Sequence, residues 1–145
     1  MEVLFRKATI EDVDGIIELC NECFNENTEV DYAKKIFVDN LNDDNHIYLV
    51  GIVDNKIVAH TKITIIPTIY QPMSTYSILN HVCVKPEYRR HKIASLMLDE
   101  CERISREKNC VAMELWSKNF RVAAQSCYIN YGFEVEDAKF FSKEL

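Results

Sequence analysis

Apolar and polar positions along the chain fall into short alternating stretches and longer stretches of helical period. Residues 2–8 alternate and predict a strand. Thr9 then offers a helix N-cap with Asp12 three residues on, and Val13, Ile16, Ile17, Cys20 and Phe24 recur on one helix face. A second helix is expected from about Asp31 to Leu41, through Ala33, Ile36 and Phe37. Ile47–Val53 and Lys56–Ile66 read as strands joined by a turn at Asp54-Asn55. Pro67 to Thr75 reads as a loop and Tyr76–Val84 as a strand that Pro86 ends, because proline has no N–H for a ladder.

From His91 to Glu107 the apolar set Ile93, Leu96, Met97, Cys101 and Ile104 has helical spacing. Val111–Trp116 is strand-like and Phe120–Tyr131 helix-like, with Gly132 at a helix C′ position. Phe133–Val135 and Ala138–Lys143 read as closing strands. The pattern therefore predicts an α/β (α+β) domain, a central sheet of about six to seven strands flanked by about four helices. No repeat, low-complexity tract or linker interrupts it, so residues 1–145 read as one domain.

Composition narrows the picture further. The chain has 145 residues, with 17 Lys and Arg against 23 Asp and Glu, a formal net charge of −6. That acidity argues against nonspecific nucleic-acid binding. The longest apolar run, Ile47 to Val53, is strand-sized, so no membrane span is expected. Glu2, Arg6 and Lys7 sit where a secretory leader needs its apolar stretch, and a cytoplasmic location is expected. The six cysteines fit that compartment as small buried apolar groups. Cys20 and Cys23 form a CxxC, but within a helical pattern and without a second pair, so no metal site is assigned.

The informative segment is Val82-Cys-Val-Lys-Pro-Glu-Tyr-Arg-Arg-His-Lys-Ile-Ala94. It outlines a buried strand, a turn and the start of a long helix. Four basic residues, Lys85, Arg89, Arg90 and Lys92, cluster beside one Glu in an otherwise acidic chain. Helix N-termini present free N–H groups and a positive dipole end, so the segment is a candidate anion site. On charge alone a solvated basic turn is the better explanation. The chain has only three glycines, Gly15, Gly51 and Gly132, and none lies in this loop.

This segment resembles the central motif of the GNAT superfamily of acetyl-CoA-dependent N-acetyltransferases, an apolar strand followed by Arg/Gln-x-x-Gly-x-Gly/Ala opening a helix. Here the frame reads Arg89-Arg90-His91-Lys92-Ile93-Ala94. Downstream, Arg121-Val-Ala-Ala-Gln-Ser-Cys-Tyr128-Ile-Asn-Tyr-Gly132-Phe133 resembles the family's Arg-x-x-Ala-x-x-Phe-Tyr-x-x-x-Gly-Phe. Phe5-Arg-Lys-Ala-Thr-Ile-Glu-Asp-Val13 is similar to a typical first strand and helix of the family. The resemblance spans nearly the whole chain. It implies a mixed, mostly antiparallel sheet and an acetyl-CoA site at Val82, Cys83, Val84, Arg89, Arg90, His91, Lys92, Ile93, Ala94, Ser95, Asn119 and Tyr128. Tyr128 would act as the proton or hydrogen-bond donor to the departing thiolate; a neutral phenol suits that role.

Two departures matter. Lys92 stands at the usual first glycine of the motif, which implies an ordinary helical backbone there, with the ammonium turned aside or adding a phosphate contact. Asn80 stands where many relatives have a Glu base. The attacking amine must lose a proton, so the base falls to His81, which titrates in a useful range, or to Glu114 on the next strand. Adjacent strand residues face opposite ways, so Asn80 and His81 share the cleft only if a bulge intervenes.

Tyr70, Met73 and Tyr76, in and beside an apolar loop that resembles an acceptor-side loop, would line an acceptor pocket together with Asn80; packing beneath the loop or a subunit contact in a homodimer explains them as well. The expected activity is transfer of acetyl from acetyl-CoA to a primary amine of a small molecule by direct attack in a ternary complex. The alternatives are an acyl-CoA-binding sensor with little catalysis, or an enzyme acting on a protein amine.

Overall fold

The computed structural model describes all 145 residues. Strand β1 (Leu4–Lys7) runs antiparallel to β2 (His46–Val53). Between them a single 3-10 turn, Ile10–Asp12, leads into helix α1 (Val13–Phe24). Asp12 fixes this entry: its carboxylate accepts from the Thr9 N–H at 2.7 Å and from both outer nitrogens of Arg6 at 2.6 and 3.0 Å. The expected capping pair is therefore present, one turn ahead of the helix proper. Val13, Ile16, Leu19 and Cys20 form the buried face of α1, and Asn25, left-handed at φ 51°, ends it. Helix α2 (Val30–Asp39) follows and buries Phe37.

Strand β3 (Lys56–Pro67) pairs with β2 through a two-residue turn whose Asp54 and Asn55 both have positive φ, 48° and 62°. Type I′ hairpin turns require that conformation, and Asp and Asn tolerate it. At Gly51 the sheet requires the missing side chain, because a Cβ there would lie 2.8 Å from the Phe5 ring and 3.0 Å from Ala59. Strand β4 (Thr75–Val84) adds antiparallel to β3, and β5 (Ala112–Leu115) adds parallel to β4 after helix α3 (Ile93–Glu107). The order is β1-β2-β3-β4-β5, and helix α4 (Val122–Tyr131) closes the fold.

The faces of the sheet bury separate cores. On one, Ile63, Leu79, Met97, Leu98 and Cys101 pack β3 and β4 against α3, with Tyr128 and Tyr131 of α4 at the border. Ser77 and Ser105 satisfy each other there, their buried hydroxyls 2.8 Å apart. On the other, Ile16, Leu19 and Cys20 of α1 cover Val50 and Cys83. No helix is long and apolar enough to cross a membrane.

The mixed, mostly antiparallel architecture with four helices is the one expected, but the sheet has five strands rather than six or seven. Phe133–Val135 and Ala138–Lys143 are not strands. The reason is local. Gly132, at φ 123°, reverses the chain, and the Phe133 N–H bonds back to the Tyr128 carbonyl at 3.0 Å. The Phe133 ring then packs on Tyr128 and Tyr131 (centroids at 5.9 and 6.1 Å). The chain thus leaves α4 by capping it, and further on Phe140 rests on Trp116 at 5.5 Å.

Candidate functional site

The pairing of β4 breaks its rhythm at one place. His60 is opposite Cys83 and Lys62 opposite Asn80, so one residue of β3, Thr61, faces two of β4, His81 and Val82. This is a β-bulge, and His81 adopts the left-handed conformation at φ 53°. The Asn80 carbonyl finds a donor in the Thr61 hydroxyl at 2.9 Å, within the broken ladder. The bulge also shifts the alternation. Leu79 points into the core against α3, Cys83 into the core under α1, Val84 again into the α3 core, and Val82 borders that core.

The bulge thereby resolves the question of facing. Asn80 alternates with core-facing Leu79 and lies on the α1 side. His81 lies there too: its ring meets the Phe24 ring edge-on at 4.8 Å, and its Nε2 donates to the Glu26 carboxylate, 3.0 Å from both oxygens. That leaves Nδ1 as the acceptor nitrogen of the ring. Glu114 pairs with Ile78, and its neighbours Met113 and Leu115 border the α3 core, so Glu114 shares the Asn80 face.

Beside the bulge, the β4–β5 pairing stops. β5 reaches only to Leu115, opposite Leu79, so Asn80–Val84 have no strand on that side and the two strands part. Apart from the Val84 carbonyl, which accepts from the Arg89 Nε, the backbone groups that face this edge have no strand partner and are open to a ligand's amides.

The turn after β4 brings Arg89, Arg90, His91 and Lys92, all exposed, to the N-terminus of α3. The first in-helix bond here is from the Leu96 N–H to the Lys92 carbonyl, so the N–H groups of Ile93, Ala94 and Ser95 carry the positive helix end without intrahelical partners. The expectation of an ordinary helical backbone at Lys92 is corrected: Lys92 is left-handed at φ 63°, ψ 15°, and so is Arg90 at φ 65°. The loop keeps the turn a glycine would take, because closing β4 onto α3 demands it. A left-handed lysine is strained by about 1 kcal/mol. Replacing Lys92 with Gly is therefore expected to raise the midpoint of thermal unfolding by about 4 °C, whereas Lys92→Ala leaves it unchanged; differential scanning calorimetry distinguishes the two.

Not all of the basic cluster faces an incoming anion. Lys85 turns toward Glu22 and Glu87, at 3.5 and 3.8 Å. The Arg89 Nε donates to the Val84 carbonyl at 3.0 Å, and its Nη2 lies 3.8 Å from the Cys23 sulfur. The neighbouring Cys83 thiol, and then this guanidinium, bring the Cys23 thiol down to about 7, while hydrogen bonding to Cys20 and Cys23, and then burial, push Cys83 upward.

Tyr128 lies half-buried on α4, against the core that Val82 and Val84 border. Burial pushes its phenol up to about 12, so the proton stays on oxygen, and the hydroxyl has no partner among the side-chain hydrogen bonds of the protein. A groove of about 620 Å³ runs between α3 and α4 past Ser95, Asp99, Cys127 and Tyr131.

Of the remaining predicted residues, Asn119 is exposed in the β5–α4 connection. Tyr76 is on the Asn80 face by alternation. Tyr70 and Met73 lie in the loop at the far end of β4, about 20 Å along the strand from the bulge. Sequence reasoning missed Glu26 and Lys62; Arg121 opens the second family motif but has no role assigned from the sequence. Arg121, at the start of α4, lies over the rings of both Phe24 and Phe120, at 4.8 and 4.9 Å, and so ties α4 to the end of α1. No local signal announces Glu26 or Lys62, since each is defined by a partner remote in sequence.

A family model described as the acetyltransferase (GNAT) family matches residues 13–133. No protein of curated function matches the chain in sequence. Among solved structures, the chain is similar to a transcriptional regulator from Bacillus halodurans C-125 (18% identity, 99% of this chain and 100% of that one, TM-score 0.90). It is similar to a glucosamine-6-phosphate N-acetyltransferase from Arabidopsis thaliana (17%, 99% and 99%, TM-score 0.84). An aminoglycoside N-acetyltransferase solved in complex with CoA gives 15% identity over 99% of this chain and 95% of that one, with a TM-score of 0.86. Identities this low carry the fold alone. Because the matched span runs from the first residue of α1 to the reversal after α4, and takes in the bulge, the basic turn and Tyr128, the chain belongs to the GNAT acetyltransferase family.

Proposed function

We propose that the protein transfers the acetyl group of acetyl-CoA to a primary amine of a small molecule by direct attack within a ternary complex. The observation that carries this reading is the bulge at His81–Val82, beside the place where β4 and β5 part and one turn away from the open N-terminus of α3. The pyrophosphate fits the N–H groups of Ile93, Ala94 and Ser95 among Arg89, Arg90 and Lys92. The pantetheine amides fit the unpaired edge of Asn80–Val84, with Asn119 and Tyr128 flanking, and the thioester carbonyl is polarised by backbone N–H groups at the bulge.

The amine then approaches from the α1 face. Nδ1 of His81 accepts its proton while Glu26 balances the charge on the ring; Glu114 is the second candidate base. As the nitrogen–carbon bond forms and the carbon–sulfur bond breaks, the Tyr128 phenol donates a hydrogen bond to the sulfur. The names of two structural neighbours, which act on an amino sugar phosphate and on aminoglycosides, support a small-molecule acceptor. A second reading, an acyl-CoA-binding sensor, draws on Asn80 at the usual base position.

Calorimetric titration with acetyl-CoA, followed by thiol release over a panel of amines, tests both. Binding with amine-dependent thiol release is expected. Binding without it would support the sensor, and no binding would defeat both readings. His81→Ala is expected to flatten the acidic limb of the pH–rate profile; an unchanged limb would move the base to Glu114.

A further inference from the structure

On the face of the sheet that carries His81, one cation lacks a counter-charge. Lys62 of β3 lies directly between Asn80 of β4 and Tyr48 of β2. Its neighbour Ile63 is buried in the α3 core, so Lys62 points to the opposite side, the side of Asn80 and Glu114. The side chain is half-buried.

Its surroundings fix the stem but leave the charge unanswered. Nζ donates to Nδ1 of His46 at 2.9 Å and stands 5.5 Å over the Tyr48 ring. Behind these, His46 Nε2 points toward the Asp43 carboxylate at 3.6 Å, and the Asn40 amide donates to the Tyr48 hydroxyl at 3.1 Å. The ammonium thus meets an imidazole nitrogen and an aromatic face, and none of the ion pairs of the protein includes it. Burial pulls its pKa down, and Asp43, beyond the imidazole, only partly opposes this. A desolvated, uncompensated cation is costly unless something on the open side answers it. An ammonium has three donors, and one is committed here.

We infer that Lys62 is the anion-binding residue of the acceptor site, and that the acceptor is a small primary amine that also carries a carboxylate or phosphate. The inference rests on the proposed amine-acetylating function: the amine is placed at the His81 bulge, and Lys62 sits one strand over from the residue preceding that bulge. The held stem presents the two free donors at a defined place on that face.

The test uses the full chain loaded with acetyl-CoA, titrated calorimetrically with O-phosphoethanolamine and 4-aminobutyrate and with their neutral counterparts ethanolamine and 4-amino-1-butanol. A charge-assisted contact of this kind predicts binding of the anionic member of each pair about 10- to 100-fold more tightly. Lys62→Met should abolish that preference without weakening the neutral amines, and Lys62→Arg should keep most of it. Equal affinity within both pairs, no binding of any of the four, or a preference that survives Lys62→Met would overturn the assignment. Thiol release in the same mixtures separates this from the underlying function. Preference for the anionic amines without thiol release would leave the subsite standing and defeat the transfer reaction; release with neutral amines and no preference would do the reverse.

Discussion

Replacing Tyr128 with Phe is expected to lower the turnover of acetyl transfer by about 100-fold while changing the affinity for acetyl-CoA by less than about twofold. The reasoning starts from the position of the ring. It is half-buried on α4, edge-on to Phe133 at 5.9 Å and against the core beneath the bulge. A phenyl group fills the same space, so packing and coenzyme binding persist. What is lost is one O–H. Burial holds that proton firmly, at a pKa of about 12, against roughly 8.5 for an ordinary thiol. Full transfer to the leaving thiolate would therefore run uphill. In the proposed reaction the phenol instead serves as a hydrogen-bond donor whose value grows as negative charge gathers on sulfur in the transition state. Such differential stabilisation acts on kcat and leaves ground-state binding alone, and the lower end of the range for general acid catalysis, about 100-fold, is the matching magnitude. Thiol-release kinetics beside calorimetric titration measure the two quantities. Unchanged turnover would remove Tyr128 from the chemistry. The same pKa predicts that no alkaline limb of the pH–rate profile below about pH 10 belongs to this residue.

The second large effect concerns stability in acid. His60 is 3% exposed, beneath α1 on β3, and its Nδ1–H donates to the Leu49 carbonyl at 2.8 Å. The ring stacks on Tyr48, with centroids 6.4 Å apart and planes at 7°. Burial, more than any other influence, holds its pKa down at about 4, against 6.5 for a free histidine. Well above pH 6.5 the folded and unfolded chains bind the same number of protons at this site, and there is no effect. Between pH 6.5 and 4 the unfolded chain takes up a proton that the folded chain refuses, so stability falls with falling pH. The loss amounts to about 2.5 kcal/mol by pH 4.5.

His60→Asn retains a donor for Leu49 and has no such titration. Its urea-unfolding free energy should therefore decline less between pH 7.5 and 4.5, by about that amount, even though the smaller side chain lowers stability at neutral pH. Parallel decline in both proteins would show that His60 takes up its proton while folded. Asp12 does not confuse the measurement. Its pKa is lowered, chiefly by the Arg6 hydrogen bond, so its stabilising contribution is lost only as pH falls below the ordinary carboxylate value.

The division between what was legible in the sequence and what was not follows the range of the interactions. Most elements announce themselves locally: the stripe of Val13, Ile16 and Cys20 makes α1, Asp54-Asn55 makes the hairpin turn, and Gly132 reverses the chain after α4. The family motifs were legible for the same reason, since a helix N-terminus beside Arg89, Arg90 and Lys92 is built from contiguous residues. The two closing strands were misjudged because alternation states only a capacity for pairing. The closing of Phe133 onto Tyr128 and Tyr131 decided against it.

Where the residues of the site meet was settled only by tertiary structure. The bulge exists because two residues of β4 share one partner on β3, and no pattern within β4 encodes that count. It turns His81 to the side of Asn80 and gives it Glu26, a partner 55 residues away. Lys92 shows the two levels in conflict: its identity favours an ordinary helical backbone, yet the closure of β4 onto α3 holds it left-handed at φ 63°. Local residue chemistry determined the elements and the basic turn at the start of α3; register and burial, which arise only when strands and helices are assembled, decided which side chains share the face of the candidate site and in what charge state.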